Sequence, residues 1–292
     1  MEAPPVPYVQ HPSPKFQHRY GRHVLLFLLT VVTTTWAGRP DGGSILSGLA
    51  YSLPMLAILG AHEFGHYYYC RRHDVNATLP FFLPAPLPLT GTLGAVIRIK
   101  EPFPNTRALF DIGVAGPIAG FITLLPFLYW GVTLSVPLHV PQGTPMIYFG
   151  EPLLYRLVAA WHFGPLPEGT DVLLHPMGFA AWFGMLATAM NLLPFGQLDG
   201  GHIAYSVFGP RSRYVSMVTL AVTILLTFRA TSWAAMAVVM SAMAYFLGFG
   251  HPRVMDETEP LDAKRKVIAL LALAIFVVCF VPVPIEMFFP GK

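Results

Sequence analysis

His62, Glu63 and His66 stand together as HEFGH in a chain of 292 residues, and the chemistry such a trio can do is metal-assisted hydrolysis. Side chains four apart lie on one face of a helix, one turn above the other. If this segment is helical, the imidazoles of His62 and His66 converge on one ion, with Glu63 next to the first of them. This is the HExxH arrangement of zinc hydrolases, in which the glutamate acts as general base on a metal-activated water. A five-residue pattern with three fixed positions also arises by chance, but the setting argues against that here. LSGLAYSLPMLAILGA precedes the pattern and YYYC follows it. Ionisable groups in a lipid-embedded helix cost roughly 2.5–3.5 kcal/mol or more each and are usually functional. Three of them within five residues mark a site.

Catalytic zinc takes three protein ligands and leaves the fourth position to water. The candidates for the third ligand are polar residues in other apolar segments: Asp111, Asn191, Asp199, His202 and Cys70. Asp199 is the best choice. Its carboxylate suits zinc, and Pro194, Gly196, Gly200 and Gly201 around it can break the helix and let backbone approach the metal. A broken helix at membrane depth survives only when it is buried in protein or beside water. The competing reading of Asp199 is a helix-capping carboxylate in a loop. His202 is expected as a hydrogen-bonded histidine near the interface, Cys70 as a packing residue, and Asp111 as a partner of backbone or of Arg107.

The elements that must position these groups read as membrane helices. The chain is 54% hydrophobic and 11% charged, against about a quarter charged in a soluble domain. Apolar stretches near 22–38, 45–69, 107–132, 173–194, 213–229, 231–250 and 265–284 are each close to the roughly 20 residues a span needs. With the N-terminus inside, 14 Lys and Arg fall on the inner side. Arg39, Arg156, Arg229 and Lys292 fall outside, and together these account for all 18. That lopsided split follows the positive-inside rule and orients the chain N-in, C-out. The 133–172 loop is outside and shorter than an ordinary domain. In the inner loop 70–106, prolines 80, 84, 86 and 88 forbid helix. The alternation in TGTLGAVIRIK predicts a strand over 93–100. GVAGPIAG carries Gly116 and Gly120 at GxxxG spacing, which lets helices approach closely, so this segment is expected to pack on the HEFGH helix. No secretory signal is expected in the polar first 22 residues. Two cysteines make no disulfide framework, and a net charge of +3 without a basic, aromatic-laced stripe argues against nucleic acid.

HEFGH, GPIAG and NLLPFGQLDGG, in that order on three apolar segments, resemble the site-2 protease family of intramembrane metalloproteases. The match runs over roughly residues 45–205. The resemblance implies one zinc per chain bound by His62, His66 and Asp199, with Glu63 as catalytic base. It also implies that Asn191 assists by substrate or oxyanion contact. The fold implied is an all-α polytopic membrane protein of about seven transmembrane helices, with a short membrane-associated β hairpin or strand region between the second and third. The chain divides into a cytoplasmic tail at 1–21, a metalloprotease core at 22–212 and further helices at 213–292. It would be a minimal member without PDZ-like or nucleotide-binding domains. The expected function is cleavage of transmembrane helices of substrate proteins near the cytoplasmic side, in a bacterial inner membrane. The rival readings are an inactive member acting as a membrane chaperone and a membrane metal transporter. Transport would need a relay of further ligands through several spans, and beyond this cluster the spans offer few His, Asp or Glu.

Overall fold

The computed structural model describes residues 15–39, 43–139, 146–167 and 169–288. Most of the expected tail at 1–21, and Lys292, lie outside that set. Nine α-helices are described: α1 (Tyr20–Ala37), α2 (Ile45–Arg72), α3 (Thr106–Thr133), α4 (Leu153–Phe163), α5 (Pro176–Asn191), α6 (Asp199–Phe208), α7 (Ser212–Thr227), α8 (Ala234–Leu247) and α9 (Ala263–Cys279). Among the described residues six short strands pair antiparallel in twos: β1 (Phe81–Pro84) with β2 (Thr92–Val96), β3 (Val136–His139) with β5 (Thr170–Leu173), and β4 (Met146–Phe149) with β6 (Ile285–Phe288).

A helix lies in each of the seven apolar segments. By length and composition, two of them, α2 and α3, are long and apolar enough to cross a membrane. The others run from 14 to 18 residues, or about 21–27 Å at 1.5 Å per residue, against about 30 Å of bilayer core. Their outward faces are nevertheless apolar. Leu25, Leu28 and Val32 of α1, Val218, Val222 and Leu225 of α7, and Val267, Leu270 and Leu271 of α9 are all exposed. Contiguous apolar patches of that kind are uncommon on soluble monomers.

The core forms where α2, α3 and α5 meet. Tyr51, Met55 and Ile58 of α2 pack there with Phe110, Val114 and Leu124 of α3 and with Trp182 and Met185 of α5. Both long helices start on side-chain caps: Ser44 accepts from Ser47 N–H, and Asn105 from Ala108 N–H at 2.8 Å. Such caps satisfy amide groups that have no partner inside the helix.

Three expectations need correction. The strand expected over 93–100 stops at Val96, which pairs with Phe81. Beyond it the partner strand would continue through Pro80, which has no N–H to donate. Pairing resumes irregularly with Thr78 N–H to Arg98 O at 3.0 Å and Lys100 N–H to Asn76 O at 2.8 Å. The 133–172 region is no plain loop. It holds α4, β3, β4 and β5, and β6 from the far C-terminal region completes one of its sheets.

Asp111 does not pair with Arg107. Its two oxygens accept from Nε and Nη2 of Arg265, at 2.8 and 2.6 Å, and His73 Nε2 lies 3.0 Å away. Arg107 reaches outward to Glu259 instead, at 2.8 Å. The planar guanidinium matches a carboxylate with two parallel bonds, so Arg265 ties the start of α9 to the starts of α3 and the loop after α2. Arg265→Ala is therefore expected to lower stability by about 2 kcal/mol, the scale of a charge-assisted hydrogen bond lost at a half-buried site. Thermal unfolding in detergent, compared with Lys264→Ala on the same helix, checks it; equal melting of the two variants would contradict the tie.

Candidate metal centre

His62, Glu63 and His66 lie in the last three turns of α2 and are all buried. Asp199 comes from a separate place, the first residue of α6. Between α5 and α6 the chain breaks at Leu192–Leu198, with Pro194 inside the break and Gly196 in the left-handed region at φ +52°. Gly200 and Gly201 let α6 fold back on that break. A Cβ on Gly200 would stand 2.1 Å from Leu192 O, and one on Gly201 2.3 Å from Gly196 O. The two glycines thus set where the Asp199 carboxylate points.

The result is a tight triangle of donor atoms. His62 Nε2 lies 3.1 Å from Asp199 Oδ2, His66 Nε2 lies 3.3 Å from Asp199 Oδ1, and the two Nε2 atoms are 3.1 Å apart. Tetrahedral zinc with bonds of about 2.0–2.1 Å sets its ligand atoms about 3.3 Å from one another, so two imidazoles and a carboxylate at these separations fit zinc in both chemistry and size. The His66 tautomer fits as well. Its Nδ1–H donates to Ile112 O at 2.7 Å, which leaves the Nε2 lone pair facing the triangle. Such a bond orients a ligating imidazole and raises its basicity.

The close approach of α3 is what closes the triangle from behind. A Cβ on Gly116 would lie 2.1 Å from His66 Nε2, and one on Gly120 would lie 3.2 Å from His62 Cβ. On the facing helix, a Cβ on Gly65 would meet Ala115 O at 2.6 Å. The GxxxG segment does pack on the HEFGH helix, and its glycines leave room for the imidazoles.

A cavity of about 230 Å³ opens beside the triangle, lined by Glu63, Asn191, Gln197 and His202, with Ala95, Val96 and Ile97 of the hairpin on its wall. Asn191 Nδ2 lies 3.3 Å from His62 Nε2. All five candidate residues, His62, Glu63, His66, Asn191 and Asp199, thus border one cavity. Cys70 is buried with Val75, Ala77 and Ile112 and has no place in it. His202 is hydrogen-bonded as expected, but to His251 at 2.6 Å. That partner lies 49 residues further on, and no local pattern around it announces the contact.

The chain's sequence matches the family model described as peptidase family M50 over residues 50–230. Among curated proteins it is 32% identical over 255 residues to a probable zinc metalloprotease EGY2, chloroplastic, of Arabidopsis thaliana, covering 84% of this chain and 43% of that relative. It is 31% identical over 236 residues to a probable zinc metalloprotease EGY1, chloroplastic, of Oryza sativa subsp. japonica, covering 69% and 40%. A probable zinc metallopeptidase EGY3, chloroplastic, of Arabidopsis thaliana is 28% identical over 233 residues, covering 72% and 38%. The chain therefore spans less than half the length of these relatives. No solved structure matches it.

Proposed function

The chain belongs to peptidase family M50, the site-2 protease family, whose cofactor is zinc, and on that premise we propose that it is an intramembrane endopeptidase that cuts transmembrane helices of other proteins near the inner face of the membrane. The observation that carries the reading is the triangle of His62, His66 and Asp199 with Glu63 beside it, built on helices whose outward faces are apolar. His62, His66 and Asp199 hold the ion. Bound zinc supplies Lewis acidity to the scissile carbonyl and lowers the pKa of water. Glu63 takes the proton of the attacking water and delivers it to the leaving amine. The Asn191 amide donates to the oxygen that gains charge as the carbonyl is attacked.

A peptide bond within a helix is shielded by its own hydrogen bonds, so the substrate helix unwinds before it is cut. The free edge of β2 stands beside Glu63 and receives the unwound segment as an added strand. Seven spans with the N-terminus inside place the end of α2, just before Arg71 and Arg72, close to the inner surface. The split of 14 positive residues inside against 4 outside, all 18 of the chain, supports that orientation. Cleavage there releases a fragment toward the cytoplasm of a bacterial cell, and water reaches Glu63 from the same side.

The test pairs metal content with cleavage. The purified protein is expected to hold about one zinc per chain and to cut a model transmembrane substrate. His62→Ala is expected to lose both, and chelator is expected to stop cleavage until zinc is restored. Full cleavage by metal-free protein sinks the proposal.

A further inference from the structure

We propose that His202 accepts a hydrogen bond from a main-chain N–H of the peptide in the cavity, and that His251 is the positioning residue that keeps His202 in the tautomer able to do so. The inference rests on the peptidase reading above and adds a substrate contact to it.

Asp199 and His202 are three apart in α6 and share a face, so His202 stands one turn along from the carboxylate and lines the same cavity as Glu63. Its Cβ lies against Gly113 of α3, where an added Cβ would come within 2.7 Å. The ring is therefore placed by packing as well as by hydrogen bonds. Burial holds both His202 and His251 below the ordinary histidine range, and their mutual proximity adds to this at His202, so both rings are neutral at pH 7.

The tautomers then follow from one end of a chain of bonds. The Pro252 carbonyl can only accept, and it lies 2.5 Å from His251 Nδ1, so that nitrogen carries the proton. Neutral His251 keeps its lone pair at Nε2, which lies 2.6 Å from His202 Nδ1. His202 Nδ1 is thus the donor, and the remaining lone pair of His202 is at Nε2. No protein group among the described residues donates to that atom.

A peptide bound in the cavity supplies the missing donor. A strand added to β2 satisfies only the N–H and C=O groups that face β2; alternate residues turn theirs the other way. Away from water such a group costs about as much as a lost hydrogen bond unless it finds a partner. His202 lines the cavity from α6 while Ala95, Val96 and Ile97 line it from the hairpin. Its Nε2 is an acceptor for an N–H that β2 leaves open.

Amide-to-ester substitution in a synthetic peptide tests this, because an ester removes one N–H; its weaker carbonyl acts equally in both proteins and is subtracted by the His202→Phe comparison below. The peptide has about 20 apolar residues, the length of one span, with a helix-breaking pair at its centre. Its Kd is measured on the full chain carrying Glu63→Gln, so that bound peptide is not consumed. One ester position is expected to weaken binding about tenfold with His202 present and less than twofold in His202→Phe, the scale of one hydrogen bond. His202→Gln keeps an acceptor oxygen and should restore the ester penalty. His251→Phe should remove it, and His251→Asn, whose Oδ1 still accepts from His202 Nδ1, should keep it. Zinc content and helicity should be unchanged throughout. Absence of a position-specific penalty, or of peptide binding, overturns the proposal. So does loss of zinc from a helical His202→Phe, which would make His202 a metal ligand. Cleavage of the same peptide is followed with Glu63 intact. Peptide that binds but is never cut refutes the peptidase reading while the ester comparison still decides the role of His202.

Discussion

Gly116→Ala is expected to lower zinc affinity about 100-fold or more, although residue 116 touches the metal with no atom of its own. The added Cβ would sit 2.1 Å from His66 Nε2 and 2.5 Å from the two carbons beside it. No rotamer of an alanine relieves that, since a methyl group has none. Either His66 swings away, taking its Nδ1–H from the Ile112 carbonyl at 2.7 Å, or α3 backs away from α2. The first route removes a ligand outright. The second costs about 1–3 kcal/mol of overpacking strain and carries off the carbonyl that orients the imidazole. Loss of such an orienting partner alone typically costs 10–100-fold in metal affinity. Gly120→Ala provides a graded comparison, because its Cβ would lie 3.2 Å from His62 Cβ and 3.3 Å from its Nδ1; a few tenths of an ångström of separation between α3 and α2 accommodates that. Zinc titration against a competing chelator should rank wild type tightest, then Gly120→Ala, with Gly116→Ala weakest. Gly116→Ala binding zinc as tightly as wild type would show that α3 does not confine the imidazoles as described.

Gly116 also shows how far the sequence could be read. GVAGPIAG announces a close helix contact through its spacing, and HEFGH announces two imidazoles on one face. Neither says that the contact and the imidazoles meet, because that depends on the angle at which α3 crosses α2. Asp199 was legible for a different reason. Proline and glycines around a lone carboxylate in an apolar segment are costly unless the break serves something, and Gly200 and Gly201 now show what it serves: α6 folds against Leu192 and Gly196 too closely for any side chain.

What escaped the sequence was mostly long-range pairing. Asp111 was expected to meet Arg107 because four residues on a helix make neighbours. Arg265 won that carboxylate from 154 residues away, and helical periodicity carries no information about such partners. The same holds for His251 on His202 and for β6 on β4. The end of β2 departs from the sequence pattern for a more local reason. Alternation continues through Ile97 and Ile99, but a strand also needs a partner, and Pro80 ends the partner. The apolar pattern located the helices well and said little about their lengths. α8 has 14 residues, shorter than the run 231–250 suggests, since Gly248 and Gly250 permit turns where the hydropathy stays high.

Glu63→Gln is expected to cut the cleavage rate by on the order of 10²–10⁴-fold, the usual contribution of a positioned general base, while the protein still binds zinc with near wild-type affinity. The two side chains are nearly the same shape, so packing around a residue only 8% exposed is disturbed little. An amide cannot take a proton from water at neutral pH, so the base alone is removed. The ligand atoms of His62, His66 and Asp199 stay within 4.8 Å of one another, because none of them depends on Glu63 for its position: His66 is held by Ile112, and Asp199 by the fold-back of α6. This separates the peptidase from a protein that merely binds membrane helices around a metal. A binding protein would lose nothing, since zinc and the cavity walls remain. A peptidase loses turnover with little change in KM, because the proton transfer matters only once the carbonyl is under attack. The measurement is steady-state cleavage of a reconstituted transmembrane substrate alongside zinc content. Unchanged turnover with zinc retained would remove Glu63 from the reaction; a parallel loss of zinc would instead make it part of the metal's support.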